Sequence, residues 1–248
     1  MVARDVLRLE VGALPRPERD EVAPEAALRI VATGRTVATI LRTPGHDLEL
    51  VRGFLHAEGK PAPLRAEPPD AVHVELPAEA FAPRAVASVA GCGVCGRDTL
   101  DDLVGGTRPV ASSLTVSMAV LATLPAALRA AQPLFAATGG VHAAALFAAD
   151  GALVVAREDV GRHNAVDKVV GWGLAAGHDL GACVLMLSGR LGFELAHKAA
   201  RAGIPIVAAV SAPSSLALEL AERFGVTAVG FVRDGRATAY THPARIAP

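Results

Sequence analysis

Cysteine is scarce in this sequence, with three in 248 residues. That number is too small and too odd for a disulfide framework, and it agrees with a reducing compartment. Long apolar runs are missing as well. None reaches roughly 18 residues without a breaker, so no membrane span is expected. Nor is there an excess of positive charge: 24 Lys and Arg against 25 Asp and Glu leave a formal net charge of -1. General nucleic-acid binding would show a basic surplus, so an anionic ligand must be met by local groups. The opening Met1-Val2-Ala3-Arg4-Asp5 has no charged-then-apolar signal pattern, which makes the cytoplasm the expected location. No internal repeat is visible. What remains is 52% hydrophobic and 20% charged, the composition of a tightly packed, alanine-rich protein with room for one large α/β domain or one domain with a smaller N-terminal extension.

Two of the three cysteines fall in one hexapeptide, Gly91-Cys92-Gly93-Val94-Cys95-Gly96. A thiolate is the nucleophile and the metal ligand, and a Cys-x-x-Cys pair at a loop or helix start can lower one thiol's pKa. The flanking glycines leave both sulfurs uncovered and let a bulky partner approach the backbone. Three chemistries compete for the pair. A closed zinc site takes four ligands, and no second pair is present. A thioredoxin-like redox pair needs an apolar strand just upstream, which Ala85-Val86-Ala87-Ser88-Val89 can supply. A zinc deaminase carries His-x-Glu before Pro-Cys-x-x-Cys. His73-Val74-Glu75 lies upstream, but Val72, Val74 and Leu76 alternate with His73 and Glu75, the period of a half-buried strand, and the proline before Cys92 is missing.

The first 25 or so residues, with Pro15, Pro17 and Pro24 among charges, read as an irregular lead-in. Residues 27–32 and 36–41 read as strands joined at Thr33-Gly34-Arg35. Asp47 is placed to cap a helix over 48–57, with Leu48, Val51, Phe54 and Leu55 on one face and Gly59 at its end. A strand follows at 71–76. Residues 97–109 read as a loop. Pro125 within 116–131 predicts one kinked helix or two short ones. From Thr138 on, the pattern is regular. Strands at 141–148 and 152–156 flank the turn Asp150-Gly151, and a helix covers 164–176. Strands at 182–187, 205–210 and 226–232 then alternate with helices at 191–202 and 214–224, which predicts parallel strands with crossover helices. Apolar runs such as Val184-Leu185-Met186-Leu187 suit strands covered on both faces. The expected architecture is a three-layer α/β/α sandwich over 111–248, preceded by a smaller α+β region over 1–110 that ends in the Cys-x-x-Cys loop.

Polar clusters fall at strand ends, where open α/β sheets bind ligands. The densest is Glu158-Asp159-Val160-Gly161-Arg162-His163-Asn164-Ala165-Val166-Asp167-Lys168. Asn164 with Asp167 makes a plausible capping pair, but a cap does not require Glu158, Arg162 and His163 as well, so a functional role is favoured for the block. Thr138-Gly139-Gly140-Val141-His142 combines a glycine turn with a histidine that is more often structural than functional. Ser188-Gly189-Arg190 is either a phosphate-binding turn or an ordinary strand-to-helix turn. Ser211-Ala212-Pro213-Ser214-Ser215 is at the next equivalent position, where Ser214 can be an N-cap. Phe231-Val232-Arg233-Asp234-Gly235-Arg236 puts two arginines around a hairpin turn. Cys183, inside an apolar strand, is expected to be buried and inert.

These motifs, in this order and together with Gly203-Ile204-Pro205, resemble the formate dehydrogenase accessory sulfurtransferase (FdhD) family, from about Arg42-Thr43-Pro44-Gly45 to the C-terminus. The block from Glu158 to Lys168 is very specific; the cysteine pair alone is not. The sequence departs in its first hairpin, where the family often has Asn-Gly and Thr33-Gly34 stands here. The resemblance implies a cytidine-deaminase-like fold without the deaminase zinc, no permanently bound metal, and a homodimer. It also implies a function: accepting sulfur from a cysteine desulfurase as a protein persulfide and passing it to the molybdenum of the bis(molybdopterin guanine dinucleotide) cofactor that formate dehydrogenase requires. Cys92 is then the matching nucleophile and Cys95 the second thiol. The cofactor-contact segment is Phe231, Val232, Arg233, Asp234, Gly235 and Arg236. A Cys-x-x-Cys oxidoreductase, which would cycle a Cys92–Cys95 disulfide, and a cofactor chaperone, which would need neither thiol, are the alternatives.

Overall fold

A computed structural model of the chain describes residues 1–81 and 104–248. The cysteine hexapeptide, the strand expected at 85–89 and most of the loop expected at 97–109 lie outside the described residues.

The C-terminal half is built on a six-stranded sheet. Its strands are β8 (His142–Phe147), β9 (Leu153–Asp159), β10 (Val184–Leu187), β11 (Ile206–Ala209), β12 (Thr227–Arg233) and β13 (Arg236–Ala239), in the order β13-β12-β11-β10-β8-β9. Strands β10, β11 and β12 are parallel, as the strand–helix alternation predicts. The β8–β9 hairpin lies antiparallel against β10, and β13 folds back antiparallel on β12. Successive residues of the central strands feed opposite cores. Leu185, Leu187, Val207 and Ala209 enter one apolar cluster, while Val184, Met186, Ile206 and Ala208 enter the other. Both faces are therefore covered, which is why these strands show no polar alternation.

On the first face lie α4 (Arg162–Ala176), α5 (Phe193–Arg201) and α6 (Ser215–Phe224). The second face carries α2 (Met118–Ala130), a single helix that contains Pro125. The short α3 (Pro133–Thr138) follows it, and β7 (Val116–Ser117) pairs with β14 (Ile246–Ala247) beside it. Helices on both faces of a mixed sheet make the expected three layers. Ser214 caps α6 by accepting from Ala217 N at 3.4 Å, as its position suggests.

The N-terminal half has its own core. A four-stranded sheet, ordered β4-β3-β6-β5, is formed by β3 (Ala26–Ala32), β4 (Arg35–Arg42), β5 (Leu64–Glu67) and β6 (Ala71–Val74). Against it packs α1 (Asp47–Ala57) through Leu50, Val51, Phe54 and Leu55. Leu50 takes the buried place expected of Leu48, which is 36% exposed. The expected cap is also corrected. His46, at φ 59°, is the N-cap and makes no side-chain cap bond, while Asp47 sits in the first turn and accepts from Arg42 Nε at 3.0 Å and Nη2 at 2.9 Å. Val72 and Val74 enter the core and His73 contacts Glu67 on the neighbouring strand, in line with the alternation.

The same α1 also crosses α4 at backbone contact. A Cβ on Gly53 would stand 2.0 Å from Asp167 O, and one on Gly171 would stand 1.9 Å from Glu49 O. Only glycine lets the two helices meet this closely. The expected irregular lead-in is a hairpin instead. Strand β1 (Val2–Arg8) pairs antiparallel with β2 (Arg16–Val22), and Arg8 reaches Glu18 at 2.8 Å across it. Both faces are largely exposed, so no apolar alternation marks it in the sequence.

Candidate functional site

All the strand-end motifs meet on one edge of the six-stranded sheet. Strands β10, β11 and β12 end there; β8 begins there and β9 ends there, since His142 pairs with Asp159 and Ala144 with Leu187. Backbone hydrogen bonds link the turns in a row. Ser211 N donates to Gly189 O at 3.3 Å and Phe231 N to Ser211 O at 3.2 Å. Ser188 Oγ accepts from Ala143 N at 2.9 Å. This is the edge at which parallel strands leave crevices for ligands.

At one end of the row is the 231–236 turn. A β-bulge separates Gly230 from Arg233, and Phe231 adopts a left-handed φ of 54°, rare for a bulky side chain. Asp234 and Gly235, both at positive φ, form the tight turn between β12 and β13. Val232 is fully buried and anchors the segment, while Arg233 and Arg236 face each other across the strands and are exposed. The Arg233 guanidinium lies 5.5 Å from the Phe231 ring. Neither arginine forms an ion pair among the described residues. Together with Met118, Gly235 and Thr238 they line a cavity of about 560 Å³. Two unpaired guanidinium forks on a concave surface suit an anionic oxygen ligand.

A second cavity, of about 610 Å³, opens further along the edge, between the end of α2, the 139–142 segment and Ser188-Gly189. His142 lines it, its imidazole held below the ordinary histidine range by burial and by the charges of Arg162 and His163. Thr138 and Gly139 serve to stop α3. Thr138 Oγ1 donates to Leu134 O at 2.8 Å, and Gly139 takes a left-handed φ of 65°.

The block from Glu158 to Lys168 does something other than expected. Its carboxylates and amine point into the protein. Asp159, with no exposed surface, pairs with Lys168 Nζ at 2.7 Å and accepts from Thr43 N at 3.1 Å, Gly161 N at 2.9 Å and Asn164 Nδ2 at 2.9 Å. Lys168 Nζ also donates to Thr43 O at 2.9 Å, and Asn164 Nδ2 to Leu41 O at 2.8 Å. Asp167 holds Lys198 at 2.6 Å; burial pushes its carboxyl up and Lys198 opposes the shift. His163 contacts Glu194. Glu158 accepts from Leu134 N at 2.9 Å and Phe135 N at 2.7 Å, capping α3 rather than facing a ligand. The expected Asn164–Asp167 capping pair is absent: the N-cap of α4 is Gly161. Most of the block is thus a buried ionic joint between the two halves, and Arg162 alone stays exposed.

Cys92, Cys95 and Arg97 lie outside the described residues. Residues 105–107 lie against α5, where Arg201 Nη1 donates to Gly105 O at 2.7 Å and Thr107 Oγ1 meets His197 Nε2 at 3.1 Å. Cys183 is buried, and burial, with a smaller contribution from Asp179, pushes its thiol up to about 11. Sequence reasoning missed Thr43, which lies 116 residues from its partner Asp159; Arg129 and Gln132 of the second cavity were missed as well. No local pattern marks any of the three.

Fold and edge together define an α/β protein whose sheet edge offers two adjacent cavities among exposed arginines. Residues 23–247 match the model of the FdhD/NarQ family, and the chain belongs to that family. A "Sulfur carrier protein FdhD" from Mycolicibacterium paratuberculosis is 45% identical over 267 residues, covering 98% of this chain and 97% of the relative. Another from Thermoplasma acidophilum is 42% identical, with 92% and 88% covered. Among solved structures, a candidate formate dehydrogenase accessory protein from Desulfotalea psychrophila superposes with a TM-score of 0.81 at 26% identity, over 99% of this chain and 98% of that one. The family match begins some twenty residues before Arg42, so it takes in the N-terminal sheet as well.

Proposed function

We propose that this chain carries sulfur for the maturation of formate dehydrogenase. Cys92 takes it from a cysteine desulfurase, and the substrate that receives it is the molybdenum of a bis(molybdopterin guanine dinucleotide) cofactor docked on the sheet edge. The acceptance step needs no external oxidant. The Cys92 thiolate attacks the outer sulfur of the donor's persulfide, the donor's S–S bond breaks, and the donor leaves as a thiolate while Cys92 becomes the persulfide. An ordinary thiol, with a pKa near ~8.5, is only a few per cent ionised at neutral pH. The glycine-framed backbone, Arg97 and the neighbouring Cys95 thiol supply the help Cys92 needs. A reducing cytoplasm and a homodimer complete the reading. Among the described residues no helix is long and apolar enough to cross a membrane.

The observation that carries the substrate half is the cavity of about 560 Å³ beside the unpaired Arg233 and Arg236. Pyrophosphate oxygens fit guanidinium forks and free backbone N–H groups. The name borne by the curated relatives supports the sulfur half. The deciding experiment is peptide mapping of added sulfur after incubation with a cysteine desulfurase and cysteine. Wild type should gain one sulfur on Cys92. Cys92→Ala should gain none and fail to activate the dehydrogenase, whereas Cys95→Ala should keep partial acceptance. Sulfur found on Cys95 or Cys183, with Cys92→Ala still active, would refute the assignment.

A further inference from the structure

Near the end of α1 a small apolar cavity is left open. It measures about 160 Å³ and is lined by Arg52, Leu55, His56, Pro61, Ala62 and Leu174. A dry cavity of about 150 Å³ takes a group the size of benzene, so this one has room for a single side chain. Leu174, which lines it from α4, is 37% exposed, and Arg52 forms no ion pair among the described residues. Both ends of the stretch that carries the cysteines are tied down at the same place. Before it, Phe81 lies under Lys60 Nζ, 5.2 Å from the ring centroid. After it, Arg201 Nη1 donates to Gly105 O at 2.7 Å while Arg201 Nε donates to His56 O at 2.9 Å. His56 Nε2 in turn donates to Arg201 O at 3.1 Å. The packing is close here: a Cβ on Gly59, at a left-handed φ of 72°, would stand 2.3 Å from Arg201 Nη2.

His56 therefore belongs to both the junction and the cavity, and Pro61 and Ala62 follow directly on Lys60. Cys92 stands eleven positions after Phe81, and eleven residues span at most about 40 Å when fully extended. A protein that hands sulfur to Cys92 has to come within that reach of the two tethers, and the cavity lies beside them. Arg52 adds a positive charge that this chain leaves uncompensated, which fits an acidic group on the visitor. We infer that this cavity is the docking point for the sulfur-donating protein, which seats one apolar side chain against Leu55, Ala62 and Leu174 and sets an acidic residue on Arg52. A few side chains buried in such pockets carry most of an interface's binding energy. That the donor is a cysteine desulfurase rests on the proposed function.

Sulfur acceptance by the full chain, followed by intact mass at rising concentrations of a cysteine desulfurase with cysteine in excess, tests this. Inorganic polysulfide serves as the donor that needs no docking: the Cys92 thiolate attacks one of its sulfurs, an S–S bond breaks, and a shorter polysulfide leaves. Leu174→Asp and Arg52→Glu should each raise the half-saturating desulfurase concentration about tenfold or more, with the maximal rate and the polysulfide rate unchanged. Ala62→Phe, which fills the cavity from its own wall without altering charge, should do the same. Variant curves that overlay wild type overturn this inference and leave the proposed function standing. So does an equal loss with both donors, the mark of a structural effect. A changed oligomer size in gel filtration, with desulfurase saturation unaltered, overturns it too and gives the face to a second copy of this chain. Wild type that takes no sulfur from the desulfurase defeats both readings.

Discussion

Two charged segments of this chain meet opposite fates, although both were singled out as chemistry-bearing. In the block from Glu158 to Lys168, each carboxylate and the lysine find protein partners. Asp159 is surrounded by Lys168, Thr43, Gly161 and Asn164, and Asp167 is held by Lys198. In the 231–236 turn, the charged groups are exposed, and Arg233 and Arg236 are left without an ion pair among the described residues. A carboxylate whose acceptor positions are filled from within is spent on holding the fold. A cation on a concave edge with no partner is available to a ligand. Density of polar residues marks both segments equally; accounting for their partners separates them.

The contrast is sharpest in what each segment should do when cut. Lys168→Ala leaves Asp159 buried without its counter-charge, and breaking a buried pair this way costs about 3–5 kcal/mol. Against a total stability of about 5–15 kcal/mol, urea denaturation should show a large fall or outright loss of the folded state. A change below about 1 kcal/mol, the usual size of a surface substitution, would mean that the joint is not the scaffold described here.

Arg233→Ala with Arg236→Ala should do the reverse. Stability should stay within about 0.5 kcal/mol of wild type, as for exposed positions generally. Affinity for GDP should drop at least roughly tenfold, because hydrogen bonds to charged groups are worth about 1.5–3 kcal/mol each. Lost stability with intact affinity would invert the comparison.

The smallest effect tests a second contact between the halves, where Arg157 Nε and Nη2 donate to Glu49 at 2.7 and 2.9 Å. Burial raises the Glu49 carboxyl, but the Arg157 fork outweighs it and the net direction is down from 4.5. A carboxyl depressed in the folded state contributes stability above its unfolded pKa, and that contribution is lost as pH falls through the folded value. Denaturation measured from pH 6 down through about 4 and below should therefore decline less steeply in Glu49→Gln than in wild type. Parallel curves would show the pair to be indifferent.

The legible parts of this molecule are those set by local pattern. The β3–β4 hairpin, the Asp150-Gly151 turn, the strand–helix alternation after Cys183 and the Ser214 cap all follow from periodicity and turn chemistry, and the structure shows each of them. The N-terminal hairpin was invisible because it buries no apolar face. Asp47 was misread as a cap because nothing nearby signals that Arg42, almost fully buried, claims its carboxylate. Among site residues, the arginines of the 231–236 turn stood out through their Asp-Gly neighbour. Arg129 and Gln132 of the second cavity did not, since no local pattern marks which residues near a helix end line a cavity.

By itself, the sequence determined the class of fold and the turns at Thr33-Gly34, Asp150-Gly151 and Asp234-Gly235. Those features depend on neighbours a few residues away, where periodicity and backbone sterics act. Only the tertiary structure decided which charges are consumed in the fold and which face a ligand. Asp159 meets Thr43 across 116 residues and Arg157 meets Glu49 across 108. Whether a charge is paired depends on what the folded chain brings beside it, and that is a property of the packed whole.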